Sequence, residues 1–209
     1  GTTGEVATLS AGEKQKIVRH FVRKVDGRVP IVVGIGGNNT AAILADLETF
    51  DLSGISAVLS VSPYYNKPNQ AGIINHYTQI AEASPLPIII YNVPGRTGSN
   101  MTACTQLEIA KLPNVIATKE ASGDMQQIME ILAHKPANFE VISGDDALTF
   151  PMMCLGAAGV ISVVNHAIPS TFNEMVHLCN QNNFTKAREI HKKTLTLCSA
   201  IFEDGSPGG

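Results

Sequence analysis

The chain has 209 residues, of which 44% are hydrophobic and 16% are charged, and its formal net charge is -3. This length and composition predict a sizeable buried core, arranged as one α/β domain or as two smaller ones. The charge balance and the scattered lysines and arginines exclude a nucleic-acid-binding surface, and no apolar run approaches membrane-spanning length. Four separated cysteines without a C-x-x-C pair, and no signal-peptide pattern, predict reduced thiols in a cytoplasmic protein.

Short apolar stretches rich in β-branched residues alternate with stretches of helical period along nearly the whole chain. Continuous apolar runs are typical of parallel strands that are buried on both faces. The predicted strands are residues 29–35, 55–61, 87–92, 115–119, 139–143 and 159–163.

Helix starts are indicated between these strands. The Ser10-x-x-Glu13 pattern is a capping box that predicts a helix to about residue 25, and Thr40 precedes an Ala/Leu-rich helical run to residue 47. Ser170 precedes a predicted helix over 172–179, and a last helix is expected over about 184–201. The repeated βα order predicts a parallel sheet with right-handed crossovers.

Six βα units fit either an open doubly wound sheet or most of a (β/α)8 barrel. Polar and reactive residues follow every predicted strand, and only a barrel brings all strand ends to one mouth. The initial Gly1-Thr2-Thr3-Gly4 resembles a βα loop whose strand is missing, and such barrels usually have about 250 residues. We therefore expect residues 1–209 to form one (β/α)8 TIM-barrel domain, a fragment lacking the first strands and the C-terminal helices.

A glycine-rich turn and the acidic and histidine residues are the candidates for cofactor sites. Gly34-Ile35-Gly36-Gly37 follows a strand, but Asn39 replaces the third glycine of a dinucleotide fingerprint and no acidic residue grips a ribose. A tight turn is the better interpretation, with weak phosphate binding at the helix start left open. The six histidines form no metal motif, and Asp145-Asp146 is more typical of helix caps. We expect no metal.

Lys119 ends an apolar strand and is the main candidate for chemistry. A lysine removed from water has a lowered pKa, so its neutral, nucleophilic amine becomes accessible, although a solvated strand end is the simpler interpretation of this residue alone. Tyr91 ends the preceding strand, and neighbouring strands lie about 5 Å apart. A phenol there can shuttle protons during imine formation. Arg96 follows on a loop stiffened by Pro94 and offers a forked donor for a carboxylate.

With these residues in view, the chain resembles the dihydrodipicolinate synthase / N-acetylneuraminate lyase family of pyruvate-dependent class I aldolases. The resemblance covers residues 1 to about 209 and is carried by five motifs in order: Gly1-Thr2-Thr3-Gly4-Glu5, Ser62-Pro63-Tyr64-Tyr65-Asn66-Lys67-Pro68, Tyr91-Asn92-Val93-Pro94-Gly95-Arg96-Thr97, Lys119-Glu120-Ala121-Ser122 and Ser143-Gly144-Asp145-Asp146. Within the family, the arginine of the third motif indicates the branch that condenses pyruvate with aspartate 4-semialdehyde in lysine and diaminopimelate biosynthesis. Sialic-acid lyases and keto-sugar-acid aldolases are the enzymatic alternatives.

The resemblance also implies roles for individual residues. Lys119 is implied to form an imine with pyruvate and Tyr91 to move protons, linked through Thr2 to Tyr65 of a neighbouring subunit. Arg96 is implied to bind the carboxylate of the second substrate. The implied pyruvate-binding residues are Thr3, Gly144 and Ile161. No separate cofactor is implied.

Two further expectations concern assembly and regulation. If Tyr65 enters a neighbour's relay, activity requires at least a dimer, and the resemblance implies a homotetramer built as a dimer of dimers. Many bacterial members are inhibited by lysine through a glutamate and a basic aromatic pair, whereas Ala42, Ala11 and Lys14 stand at those places here. We expect weak or absent inhibition by lysine, although Asn38 is retained.

A function from another class is a barrel used for binding without turnover, because one fold often supports different functions. The chemically competent residues at the positions of the nucleophile, the relay and the carboxylate donor favour the enzyme.

Overall fold

The computed structural model describes residues 1–203 and 205, so the last predicted residues of the domain, 206–209, and residue 204 lie outside the described part. Within the described part of the chain, six strands form one sheet in sequence order, and every neighbouring pair is parallel. The strands are Val32–Gly34 (β1), Ala57–Val61 (β2), Ile88–Asn92 (β3), Val115–Glu120 (β4), Glu140–Ser143 (β5) and Gly159–Val160 (β6). This sequential parallel order is that of an α/β barrel.

Helices connect the strands within the described residues. They are Ala11–Val25 (α1), Thr40–Thr49 (α2), Gln70–Ala83 (α3), Pro94–Thr97 (α4), Ala103–Ile109 (α5), Met125–His134 (α6), Thr149–Cys154 (α7), Pro169–Asn180 (α8) and Phe184–Ala200 (α9), with short 3-10 turns at Val6–Thr8 and Val164–His166. None of the helices in this part of the chain is both long enough and apolar enough to cross a membrane.

The starts of three helices show how well local sequence signals predict where a helix begins. The capping box of α1 is present, since the Ser10 side chain accepts from the Glu13 backbone and Glu13 accepts from the Ser10 backbone. The α2 cap is Asn39, one residue before the predicted Thr40. The prediction of Ser170 as a helix start was wrong, because α8 begins at Pro169, whose fixed φ and missing N–H suit the first helical position.

Apolar side chains form two clusters, one on each face of the sheet. The larger cluster packs the outer face against the helices and includes Ile88, Ile90 and Ile128. The smaller cluster lies on the inner face and consists of Ala57, Leu59, Ile89, Tyr91, Val93 and Ala117. Alternation along β3 explains the division, because successive side chains point to opposite faces. The inner face therefore carries Tyr91 into the barrel interior.

The outermost strands are shorter than predicted. β1 pairs with β2 only over Val32–Gly34, and β6 ends at Val160. After β6 the backbone N–H groups of Val163 and Val164 bind the Asp146 carboxylate, so they are not available for strand pairing. The segment after β1 passes close to β2, since a Cβ at Gly36 would lie only 2.7 Å from the Val61 nitrogen.

Candidate active site

Lys119 and Tyr91 are direct register partners at the carboxyl ends of β4 and β3. Both side chains are buried, with 8% and 6% of their surface exposed. The Lys119 Nζ lies over the Tyr91 ring, 4.2 Å from its centroid. The expected proximity of these two side chains is therefore present in the structure.

The environment of Lys119 favours its neutral form. Burial lowers the pKa of Lys119 from an ordinary value of 10.5 to about 8, while the nearby negative charge of Asp146 opposes that fall. At neutral pH about one tenth of such amines are neutral, compared with less than about a thousandth for a solvated lysine. Lys119 is thus suited to nucleophilic attack on a carbonyl carbon.

The environment of Tyr91 keeps its hydroxyl protonated. Burial raises the pKa of Tyr91, and this rise is opposed by hydrogen bonding from the Thr2 side chain and by the positive charge of Arg96. A protonated phenol with a polar neighbour can donate and recover a proton. Thr2 and Arg96, both predicted site residues, therefore lie close enough to Tyr91 to influence it.

A cavity of about 370 Å³ opens at this end of the sheet. Five predicted residues line it together with Lys119: Thr2, Thr3, Tyr91, Arg96 and Gly144. A second cavity of about 270 Å³ adjoins it and shares Thr2, Tyr91, Val93 and Arg96. The volume suits small molecules a few carbon atoms long.

Gly144 is placed where no side chain fits. A Cβ at this position would lie 2.7 Å from the Ala121 Cβ and 3.0 Å from the Lys119 Cε. The absence of a side chain at Gly144 therefore leaves the room that the Lys119 side chain occupies.

Asp146 is a site residue whose placement the sequence did not predict. The cap interpretation of Asp145-Asp146 was wrong, because α7 begins at Thr149 with Leu148 at its cap position. Instead, the Asp146 Oδ2 accepts from the Val163 and Val164 backbones at 2.9 and 3.0 Å, and Asp146 lines the cavity. Its position after β5, among polar residues at strand ends, and its place in the Ser143-Gly144-Asp145-Asp146 motif were the sequence signals for it.

Two cavity-lining residues had no sequence signal at all. Cys198 and Phe202 come from α9 and the turn after it, far along the chain from Lys119. Burial raises the pKa of the Cys198 thiol to about 11, with the charges of Asp146 and Asp145 acting in the same direction. Cys198 is therefore a neutral, poorly nucleophilic wall of the cavity.

Two predicted site residues are not part of the cavity wall. Tyr65 is 88% exposed in the loop after β2 and has a left-handed backbone with φ of 72°. Ile161 follows β6, where its N–H donates to the Ser143 carbonyl at 2.9 Å and its side chain packs against the inner apolar cluster. The structure of one chain therefore brings Ile161 near Tyr91 but leaves Tyr65 facing outward.

Among the described residues, no group of three or more histidine, cysteine or acidic side chains is arranged to hold a metal ion. The functional groups that line the cavity include an amine, a phenol, hydroxyl groups and a guanidinium.

A parallel α/β barrel sheet with a buried, pKa-lowered lysine at the carboxyl ends of its strands defines a class of barrel enzymes that use lysine as a nucleophile. A family model described as the dihydrodipicolinate synthetase family matches residues 1–209. The chain belongs to this family. It is 53% identical over 210 residues to a 4-hydroxy-tetrahydrodipicolinate synthase of Parabacteroides distasonis, covering 100% of this chain and 71% of the relative.

Solved structures of family members agree with the fold. The dihydrodipicolinate synthase of Thermotoga maritima superposes with a TM-score of 0.94 at 41% identity, covering 97% of this chain and 70% of that one. A chloride-inhibited dihydrodipicolinate synthase of Acinetobacter baumannii complexed with pyruvate superposes with a TM-score of 0.93 at 36% identity, covering 97% and 69%.

Proposed function

We propose that this chain catalyses the condensation of pyruvate with L-aspartate 4-semialdehyde to 4-hydroxy-tetrahydrodipicolinate, a step of lysine and diaminopimelate biosynthesis. The observation that carries the proposal is the buried Lys119, whose pKa is lowered to about 8, with its Nζ 4.2 Å from the centroid of the Tyr91 ring. Membership of the family and the names of its relatives support the choice of substrates.

In the proposed mechanism, the neutral Lys119 amine adds to the ketone carbon of pyruvate. The resulting carbinolamine loses water to give an iminium, which then loses a proton from the pyruvate methyl group to give an enamine. The enamine carbon attacks the aldehyde carbon of the second substrate, forming the new C–C bond, and the aldehyde oxygen takes up a proton. The substrate's amine then adds to the imine carbon and displaces Lys119 as the ring closes.

Tyr91 is proposed to carry protons in these steps. Loss of water from the carbinolamine needs a proton donor at its hydroxyl group, and the buried Tyr91 ring lies beside the Lys119 amine. Thr2 is proposed to connect Tyr91 to Tyr65 of a neighbouring subunit. The exposure of Tyr65 is compatible with such a contribution from one chain to the next.

The carboxylates of the two substrates are proposed to have separate partners. Thr3 would hold the pyruvate carboxylate through its hydroxyl and backbone N–H, with Gly144 and Ile161 adjoining through their backbones. Arg96, exposed at the rim of both cavities, would bind the carboxylate of the semialdehyde. No separate cofactor or metal is needed in this mechanism, because the imine on Lys119 itself withdraws electrons.

Assembly, location and domain extent are also proposals. Tyr64 and Tyr65 are exposed aromatic neighbours, a composition that is enriched at subunit interfaces, and we propose a homotetramer made of two dimers. We place the enzyme in the cytoplasm because its proposed reaction belongs to amino-acid biosynthesis. Residues 1–209 are proposed as one domain of the (β/α)8 type.

We further propose that lysine inhibits this enzyme weakly or not at all. Ala42 lies in the first turn of α2 and has no carboxylate with which to neutralise a ligand amine. Inhibition by half at sub-millimolar lysine would contradict this proposal.

The function is tested by supplying pyruvate with either aspartate 4-semialdehyde or sugar aldehydes and measuring product formation. Turnover with the semialdehyde alone supports the proposal, whereas preference for a sugar aldehyde assigns a keto-sugar-acid aldolase. Failure of borohydride to trap pyruvate on the protein would support the binding barrel. Lys119→Met should abolish turnover, and Lys135→Met is the matched control because Lys135 is a partly buried lysine that pairs with Glu140 at 3.2 Å.

A further inference from the structure

Glu120 is a buried carboxylate directly beside Lys119 in sequence, and the mechanism above does not use it. It is 0% exposed. Its Oε2 accepts from Gln106 Nε2 at 2.6 Å and from Gln127 Nε2 at 3.2 Å, and its Oε1 accepts from the Ser122 backbone at 2.7 Å. Asn92 Nδ2 lies 3.2 and 3.1 Å from the two oxygens. Among the ion pairs of the described residues, none involves Glu120.

The donors to Glu120 are themselves held by further hydrogen bonds. Asn92 Oδ1 accepts from the Met101 backbone at 3.0 Å, and Asn100 Oδ1 accepts from Asn92 Nδ2 at 2.8 Å. Gln127 Oε1 accepts from Asn100 Nδ2 at 2.8 Å, and Gln106 Oε1 accepts from Thr118 Oγ1 at 2.7 Å. We call Glu120, Asn92, Gln106, Gln127, Asn100 and Thr118 the polar network.

The polar network is placed immediately behind the reacting side chains. In the pairing of β3 with β4, Tyr91 lies opposite Lys119, and the next pair is Asn92 opposite Glu120. Because side chains alternate along a strand, Tyr91 and Lys119 face the barrel interior while Asn92 and Glu120 face the helices. The Asn92–Glu120 hydrogen bonds therefore tie together the two strand ends that carry the candidate nucleophile and proton carrier.

Stability alone is a poor explanation for this arrangement. A buried carboxylate without a cation is costly, and well-packed apolar side chains often stabilise such a position as well or better. A fully satisfied polar network, in contrast, permits one geometry because each donor has a fixed acceptor. Donors from β3, α5, α6 and the turn after β4 converge on Glu120, so its position fixes four segments at once.

We propose that Glu120, acting with Asn92, is a positioning residue for the reaction: it fixes the ends of β3 and β4 so that Tyr91 and Lys119 keep their relative placement. The inference rests on the proposed function, since it assigns the network to the same imine chemistry. This role differs from a purely structural one, because it predicts a change in the reaction rate of the folded protein and not only in the fraction of protein that folds.

Glu120→Gln tests the inference with almost no change of shape. Both carboxylate oxygens accept from donors, so either orientation of the new amide points an NH₂ group at another donor. We expect the first-order rate of pyruvate trapping on Lys119 at saturating pyruvate, and kcat, to fall about tenfold or more, because small displacements of reacting groups have large effects on rate. KM for the semialdehyde should stay within about twofold, since Arg96 does not contact the network.

Thr105→Val is the matched control. Thr105 is buried on α5 next to Gln106, but its hydroxyl donates to Gln70 Oε1 at 2.6 Å instead of to Glu120. It should lose stability of the order of one buried hydrogen bond, about 1 kcal/mol, with kcat unchanged.

The outcomes distinguish failure of the proposed function from failure of the proposed role of Glu120. If the unmodified chain forms no pyruvate adduct, the proposed function fails. If it turns over while folded Glu120→Gln keeps the wild-type kcat and trapping rate, the inference about Glu120 is overturned and the function stands. If Glu120→Gln does not fold, Gln127→Met decides the matter, because it removes one donor to Glu120 and the acceptor of Asn100 while every residue of β3 and β4 stays unchanged. A reduced kcat in that variant supports positioning, and an unchanged kcat overturns it.

Discussion

Replacing Gly144 by alanine should damage imine formation by a defined steric route. The new Cβ would lie 2.7 Å from the Ala121 Cβ, 3.0 Å from the Lys119 Cε and 3.2 Å from the Glu120 carbonyl oxygen. Ala121 and the Glu120 carbonyl lie at the end of β4 and have little freedom to move, whereas the Lys119 side chain is flexible. We expect the contact with Lys119 to be relieved by displacement of the lysine side chain, and the contact with the Ala121 Cβ to require a backbone shift.

The magnitude follows from the size of that displacement. Carbon atoms in contact lie about 3.5–4.0 Å apart, so relieving a contact of 3.0 Å moves the Cε by roughly 0.5–1 Å. A misplacement of about 1 Å can reduce a rate by about 100-fold, which sets the expected range at about 10- to 100-fold. Overpacking should also reduce the free energy of unfolding by about 1–3 kcal/mol.

The assay is the rate at which borohydride traps pyruvate on Lys119, measured by peptide mass spectrometry on the folded protein. Gly159→Ala is the matched control, because a Cβ on that β6 glycine meets nothing within 4 Å. Wild-type trapping by a folded Gly144→Ala protein would refute the reasoning, since the lysine would then tolerate the displacement.

Three other perturbations have a defined expected direction. Tyr65→Phe should strongly lower turnover and affect pyruvate trapping less; an unchanged steady-state rate would remove Tyr65 from the relay. Arg96→Ala should raise KM for the semialdehyde about 10- to 100-fold while pyruvate trapping persists, and Arg96→Lys should recover only part of the loss because it lacks the fork; equal KM values would exclude the proposed role. His76 is buried with Nδ1 2.8 Å from Thr40 Oγ1, and burial lowers its pKa from 6.5 to about 4. The unfolded protein therefore protonates His76 more readily than the folded protein does. The free energy of unfolding should be retained above about pH 6.5 and should fall by about 1–2 kcal/mol between about pH 7 and pH 5. In urea titrations, His76→Gln should lack this part of the pH dependence.

Local sequence signals were sufficient for the elements that depend on local physics. The capping box at Ser10 and Glu13 predicted the start of α1, because both hydrogen bonds close within one helical turn. The apolar run ending at Lys119 predicted β4, and consecutive βα units with parallel strands predicted that Lys119 and Tyr91 would be neighbours. These inferences need only periodicity and the spacing of adjacent strands.

The remaining features depend on contacts between distant segments. Asp146 was mistaken for a cap because its partners, Val163 and Val164, are reached only after the chain has formed α7 and β6. Cys198 and Phe202 line the cavity because α9 and the turn after it reach it, and nothing in their own sequence indicates this. The donors of Glu120 are likewise spread from Asn92 to Gln127, and no single motif contains them.

The central claim is that Lys119 carries pyruvate as an imine because burial makes its amine available near neutral pH. Its most direct test is borohydride trapping at pyruvate concentrations well below saturation as a function of pH, followed by peptide mapping, because this regime reports the free Lys119 amine. We expect a single reduced adduct on Lys119, with a trapping rate that rises with pH and reaches half its maximum near the pKa of about 8. An adduct on another lysine, no adduct at all, or a half-maximum near the ordinary lysine pKa of 10.5 would contradict the claim.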